Sequence, residues 1–279
     1  MRHSAFKFIV LVTLLGLPHL CYSSPEQDRQ AAWQYFNHLF PSLKLQDYAD
    51  GVYAIDPIAR DSWLAIQEFP PYEPTLEEGE QLFKQPFKNG RHYADCFPNQ
   101  GIGIAQRYPV WDVNQGRVIS LELAINDCRQ QNAETPLPYQ KGPIAKILAY
   151  MAWTSRGKII NTEIPANDPK ALIAYEQGKA YYYRRQGQLN FSCASCHTQN
   201  AGKYIRSEML SPMLGHTSHW PTYRLAWGEL GTLHRRFLDC LELLRIPLIP
   251  AQSEELRNLE YYLSVLSQGI ALNGPSIRK

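Results

Sequence analysis

Residues Cys193-Ala194-Ser195-Cys196-His197 form a C-x-x-C-H run, and no other feature constrains this chain as much. Two thiols three positions apart and the imidazole beside them can meet one group only if the segment folds as a single tight turn. The chemistry that suits such a turn is covalent haem c, with both thiols added to the haem vinyl groups and His197 presented to the iron. A zinc knuckle would need a second Cys/His pair at ligand spacing, and none follows. The expected cofactor is therefore one covalently bound haem c, which implies a compartment where such attachment takes place.

The N-terminus points the same way. Arg2 and Lys7, the apolar run Phe8 to Leu17, Pro18 and then Cys21-Tyr22-Ser23-Ser24 precede Glu26, the first acidic residue. This reads as a secretory signal peptide over residues 1–23 and a periplasmic protein. The apolar run is too short for a membrane-spanning helix, which needs about 20 residues. His19 and Leu20 also stand where a lipid-anchor motif at Cys21 would place small residues. Removing Arg2 and Lys7 from the 28 basic residues leaves 26, against 26 acidic ones, so the mature chain is formally neutral. It lacks the basic surplus expected of a nucleic-acid-binding face.

Of six cysteines, Cys21 leaves with the leader and Cys193 and Cys196 take the haem, so Cys96, Cys128 and Cys240 remain. Two of these can pair in an oxidising compartment, and the third is then a thiol in need of a role. A weak internal repeat suggests which. Glu78-Gly79-Glu80-Gln81-Leu82-Phe83 precedes Cys96 much as Gln177-Gly178-Lys179-Ala180-Tyr181-Tyr182 precedes Cys193, each as a helix leading into a turn. Downstream, Val118, Leu121, Ile125 and Cys128 share the register of Leu230, Leu233, Phe237, Cys240 and Leu244, so both thiols are expected to point inward. At the first turn, however, Asn99 and Gln100 stand where the second has Cys196 and His197. The first half cannot attach haem in the usual way, and Cys96 is free to bridge Cys128.

Helix signals dominate the rest. Asp168 caps a run from Pro169 to Gln186 closed by Gly187, and Ser253 precedes a stripe of Leu256, Leu259, Leu263 and Leu266 ending near Gly269. Strand alternation is weak throughout. The expected fold is mainly α, with two tandem cytochrome c-type domains, a haem-less one over 24–140 and a haem-binding one over 141–279. The boundary follows Pro136-Leu137-Pro138 and Gly142-Pro143.

The second axial ligand decides what such a haem does, because His/Met ligation suits electron transfer. Met209 and Met213 lie close behind His197, as do His216 and His219, and all four can equally be packing residues. Cys240 lies farther on, along an apolar helical stripe, and can be a ligand or an inert buried thiol. Arg236 stands one turn before it, where a guanidinium favours thiolate and offers a fork of donors to an oxyanion.

The stretch Phe191–Leu244 resembles the SoxA family, the catalytic subunits of the SoxAX cytochromes of thiosulfate oxidation. The resemblance rests on the C-x-x-C-H run, on His219-Trp220-Pro221-Thr222-Tyr223-Arg224, on Trp227-Gly228-Glu229-Leu230-Gly231-Thr232-Leu233, and on Arg235-Arg236-Phe237 with Cys240. In the first half it rests on Cys96-Phe97-Pro98, Tyr108-Pro109 and Leu121 to Asn126 with Cys128. It implies a haem iron held by His197 and Cys240, catalysis at Cys240 with Arg236, and the single-haem type in which Cys96 and Cys128 are bridged. The implied activity is an L-cysteine S-thiosulfotransferase, which couples thiosulfate to a cysteine of the SoxYZ carrier and passes two electrons to a SoxX cytochrome. A plain electron-transfer cytochrome with Met ligation is the alternative. Roles for His216, His219 and Trp220 stay open.

Overall fold

The computed structural model describes residues 23–279, and the expected signal peptide lies outside the described residues apart from Ser23. The elements in chain order are α1 (Pro25–Leu39), α2 (Pro57–Gln67), α3 (Glu73–Lys84), a short hairpin of β1 (Val110–Asp112) and β2 (Arg117–Ile119), α4 (Leu121–Gln131), α5 (Pro143–Trp153), α6 (Pro169–Tyr183) and the single turn α7 (Cys193–His197). There follow β3 (Tyr204–Ile205), β4 (Glu208–Met209), β5 (Thr222–Arg224), β6 (Glu229–Gly231), α8 (Leu233–Leu243), α9 (Glu254–Leu266) and β7 (Ser276–Arg278). The fold is mainly helical, as expected.

Two helix crossings organise it. Gly79 brings α3 against α5 so closely that a Cβ there would collide with the Lys146 carbonyl oxygen. Gly178 does the same between α6 and α9, against the Asn258 carbonyl oxygen. Around the first crossing Phe83, Phe87, Tyr93, Phe97, Ile125, Ile147 and Met151 form one core, and Cys128 belongs to it. Around the second a larger core gathers Tyr175, Tyr182, Leu259, Tyr262 and Leu263. α1 closes over this second core: Phe36 is fully buried, Tyr175 donates from its hydroxyl to Asp28 at 2.9 Å, and Lys179 pairs with Asp28 at 2.7 Å. α5, which a boundary near 140 assigns to the second half, packs on α3 in the first. The prolines at 136–143 mark the loop between α4 and α5.

Helix ends follow local chemistry. Asp168 accepts from the Lys170 amide to start α6, and Ser253 caps α9 through the Leu256 amide. α6 ends at Tyr183, three residues before the expected Gln186. Arg184 turns extended there, and Gly187, at φ 73°, forms the next turn. The Cys96–Cys128 disulfide is present, with Cα atoms 5.8 Å apart, and ties the segment after α3 to α4. The chain after Cys96 differs from its counterpart in the second half. Asn99 and Gln100 take left-handed φ values of 50° and 54° where Cys196 and His197 continue a helical turn. A three-stranded sheet of order β6-β5-β7 closes the fold, with β5 antiparallel to β6 and parallel to the C-terminal β7. Strands of three residues are too short to show alternation in the sequence.

Candidate functional site

The turn that presents the two thiols is built by reciprocal capping. The Ser195 amide donates to Ser192 Oγ and the Ser192 amide to Ser195 Oγ, each at 3.1 Å, which fixes α7 as one helical turn. Cys193 and Cys196 then share a face. Burial pushes the Cys193 thiol up to about 12, with Cys240 the next contributor, and Cys196 is raised by burial and again by Cys240. The Cys240 thiol on α8 is thus an electrostatic neighbour of both thiols on α7.

His197 is oriented by the chain that follows. Its Nδ1 lies 2.9 Å from the Ser211 carbonyl, so the proton resides on Nδ1 and the Nε2 lone pair is left for another partner. Burial, with the Arg236 charge as a smaller contribution, holds the imidazole down at about 4 against the Ser211 hydrogen bond, so the ring is neutral near pH 7. His216 meets it edge-on, with centroids 4.4 Å apart, and its Nε2 shares Ser211 Oγ at 3.1 Å. Trp220 donates to the His216 carbonyl at 2.8 Å and packs on His219. These three residues, left open by the sequence, belong to the wall behind His197. Met213 belongs there too. Its amide donates to the His197 carbonyl at 3.0 Å, its sulfur accepts from Thr198 at 3.5 Å, and it is buried on the His197 side. Met209 is held in the β3–β4 hairpin.

α8 brings the opposite side. Thr232 caps it through the Arg235 amide, and Leu233, His234 and Leu241 face the interior. Phe237, Cys240 and Leu244 were expected to point inward but are only half-buried. A 3.6-residue stripe identifies a covered face without saying what covers it. Here the half-buried stripe adjoins Cys193 along the edge of the larger core. Two thiols on one turn, an imidazole with a free Nε2, a third thiol opposite and a half-buried apolar helix face make a donor set that fits haem c.

Along the face of α8 adjoining Cys240 in sequence a groove of 430 Å³ opens, lined by Arg224, Trp227, Arg236, Asp239, Glu242 and Leu243. Arg236 belongs to it as the sequence suggested. Arg224, at the end of β5, is the residue that sequence reasoning missed as a site residue. It stands in a quoted run, but only the turn from β5 to α8 brings it to this face. Burial, and after it the charge of Arg236, lowers the Arg224 guanidinium to about 10. Its Nε is buried without a hydrogen-bond partner.

Behind α8 lies a separate acidic cluster. His234 accepts the Gln252 amide on Nδ1 at 2.9 Å and faces Glu260 with Nε2 at 3.0 Å. Burial raises Glu260 to about 8 and Glu122 to about 7, the latter also through Glu260.

A mainly helical fold with a capped C-x-x-C-H turn defines a c-type cytochrome domain. Comparison with known proteins narrows the class. The family described as "SoxA/TsdA, cytochrome c domain" matches residues 78–160 and 177–272. The chain belongs to this SoxA/TsdA cytochrome c family. It is 52% identical over 257 residues to the L-cysteine S-thiosulfotransferase subunit SoxA of Allochromatium vinosum, covering 92% of this chain and 91% of that one. To the same subunit of Chlorobaculum tepidum it is 44% identical, covering 91% and 88%. The crystal structure of SoxXA from P. pantotrophus superposes with a TM-score of 0.71 at 28% identity, covering 78% of this chain and 84% of that one.

Proposed function

We propose that this chain is the catalytic subunit of an L-cysteine S-thiosulfotransferase, active in the periplasm with a SoxX-type cytochrome as its partner. The observation that carries the reading is the placement of Cys240. Half-buried on α8, it is an electrostatic neighbour of Cys193 and Cys196 on one side and of Arg224, a residue of the arginine-lined groove, on the other. The relatives' names give the reaction, and among the described residues no helix is long and apolar enough to cross a membrane.

In this reading Cys193 and Cys196 would hold one haem c covalently, His197 Nε2 and the Cys240 sulfur would be its iron donors, and the group would supply a one-electron acceptor when bound. Arg236 holds the sulfonate oxygens of thiosulfate so that its sulfane sulfur points at Cys240. A bond forms between the Cys240 sulfur and the sulfane sulfur as two electrons leave to the cytochrome partner. The thiolate of a SoxYZ carrier cysteine then attacks the sulfane sulfur. The bond to Cys240 breaks, Cys240 leaves as thiolate, and the carrier keeps the thiosulfonate. In sum, a carrier thiol and thiosulfate lose two electrons and one proton. The Ser211 carbonyl keeps the His197 proton on Nδ1, and the half-buried flank of α8 keeps Cys240 within reach of a carrier arm.

The chain is organised as two tandem cytochrome c-type units, the first haem-less and tied by Cys96–Cys128. The α3–α5 crossing and the two matched stretches support a division between residues 160 and 177 rather than near 140. The deciding experiment is the intact, unreduced mass of the mature protein from a haem-competent periplasm, with mapping of any mass that a reductant removes. One haem, two hydrogens missing at Cys96 and Cys128, and a labile sulfur or thiosulfate-derived adduct on Cys240 is the expected result. An unmodified Cys240 after exposure to thiosulfate would remove it from the chemistry.

A further inference from the structure

Thiosulfate carries two negative charges, and one arginine balances only one of them. The charged side chains lining the groove are Arg224, Arg236, Asp239 and Glu242, with Arg235 stacked behind on Trp227, and Arg235 and Asp239 are already occupied. Arg235 pairs with Glu229 at 3.1 Å and lies over the Trp227 ring at 4.2 Å. Asp239 accepts from the Trp227 indole at 2.8 Å. Arg224 and Arg236 are the remaining cations beside the exposed carboxylate of Glu242, and among the described residues neither arginine enters an ion pair. Burial and then the charge of Arg236 disfavour the Arg224 cation, and Glu208, Cys240 and Asp239 partly offset this. Its guanidinium packs on Trp227 at 5.3 Å, and its buried Nε has no acceptor. A buried cation donor without an acceptor is costly unless a ligand completes it.

We propose that Arg224 is a substrate-binding residue, forming with Arg236 a two-guanidinium clamp for the thiosulfate dianion. This rests on Cys240 being the sulfur that thiosulfate joins. The indole of Trp227, gripped by Arg224, Arg235 and Asp239, positions the second arm of the clamp. The clamp also explains release. Once the sulfane sulfur is bonded to Cys240, the remaining sulfonate carries a single negative charge. Two guanidiniums then hold half the charge they bind best, which favours transfer to the carrier thiolate.

The test uses the holo complex with its cytochrome partner and the carrier protein. Initial rates over a range of thiosulfate are measured for the wild type, Arg224→Gln and Arg224→Lys, with sulfate, an unreactive dianion, as competing inhibitor. Arg224→Gln is expected to raise the KM for thiosulfate and the inhibition constant for sulfate together, by roughly ten- to a hundredfold. Arg224→Lys should recover part of both, with the Soret band and melting temperature unchanged. A purely structural role would instead lower melting temperature or kcat and leave the sulfate constant alone. Wild-type KM and sulfate constants in Arg224→Gln, beside an inactive Cys240→Ser, would overturn the clamp and leave the role of Cys240 standing. Turnover in Cys240→Ser would overturn that role, and sulfate competition would still judge Arg224 on its own.

Discussion

Replacing Cys96 and Cys128 together by alanine cuts a covalent tie in the first core and touches nothing in the second. The bridge closes a loop with a sequence separation of 32. Loop-closure entropy for that length is worth about 4 kcal/mol at 25 °C, as an upper figure that assumes an open unfolded chain. For a chain of this size each kcal/mol moves the melting temperature by about 2–4 °C, so a fall of about 8–15 °C is expected. Asn132 donates to the Cys128 carbonyl at 2.8 Å, a backbone contact that alanine retains, so the drop reports the cross-link and the lost sulfur packing. Cys128 lies in the core around Phe83 and Tyr93, whereas Cys193 packs against the core around Tyr182 and Tyr262. The Soret band of the folded variant should therefore match the wild type. The assay is thermal unfolding followed at once by far-UV circular dichroism and Soret absorbance, on the variant and on wild type with and without reductant. A melting temperature within about 2 °C of wild type would show that the bridge constrains little, and a shifted Soret band before melting would show that the two cores are not separate.

Gly178→Ala should lower stability by about 1–3 kcal/mol or more, because its Cβ meets the Asn258 carbonyl at the α6–α9 crossing, and the helix-propensity gain of about 1 kcal/mol does not offset this. Urea midpoints measure it, and an unchanged midpoint would mean that the helices slide apart freely. For Glu260→Gln the sign follows from linkage. The folded-state value of about 8 lies above the unfolded value of about 4.3, so the stabilising contribution is present below pH 4 and is lost as pH rises through 8. Glutamine mimics the protonated form. The variant should thus gain on the wild type between pH 5 and pH 9, by an amount on the order of a few kcal/mol, and equal differences at both values in urea titrations would refute the buried charge.

The haem turn was legible because covalent attachment demands fixed residue types at fixed spacing, and a capped single turn is all the structure adds to Cys193–His197. The Cys96–Cys128 bridge was legible from the decay of the same pattern at Asn99 and Gln100. Other features depend on contacts that no local pattern encodes. Arg224 reaches the site only through the β5–β6 turn, and Glu122, His234 and Glu260 meet from three helices. The side of the fold taken by α5 follows from the close approach that Gly79 permits, and the prolines at 136–143 gave no sign of it. Periodicity placed Cys240 on an apolar face, yet the residue is only half-buried, a degree of cover that a repeat of apolar positions does not encode.

Gly79 and Gly178 also offer a means of tracing ancestry. A cofactor motif is under selection only while the cofactor is used, but a backbone crossing is under selection for as long as the chain folds. The two glycines stand seventeen and fifteen residues ahead of Cys96 and Cys193, one in the half without a C-x-x-C-H run and one in the half that carries it. A descendant in which both motifs had decayed would still have to keep these two positions without side chains. It could be recognised by its steric bareness after every residue that once touched iron had changed.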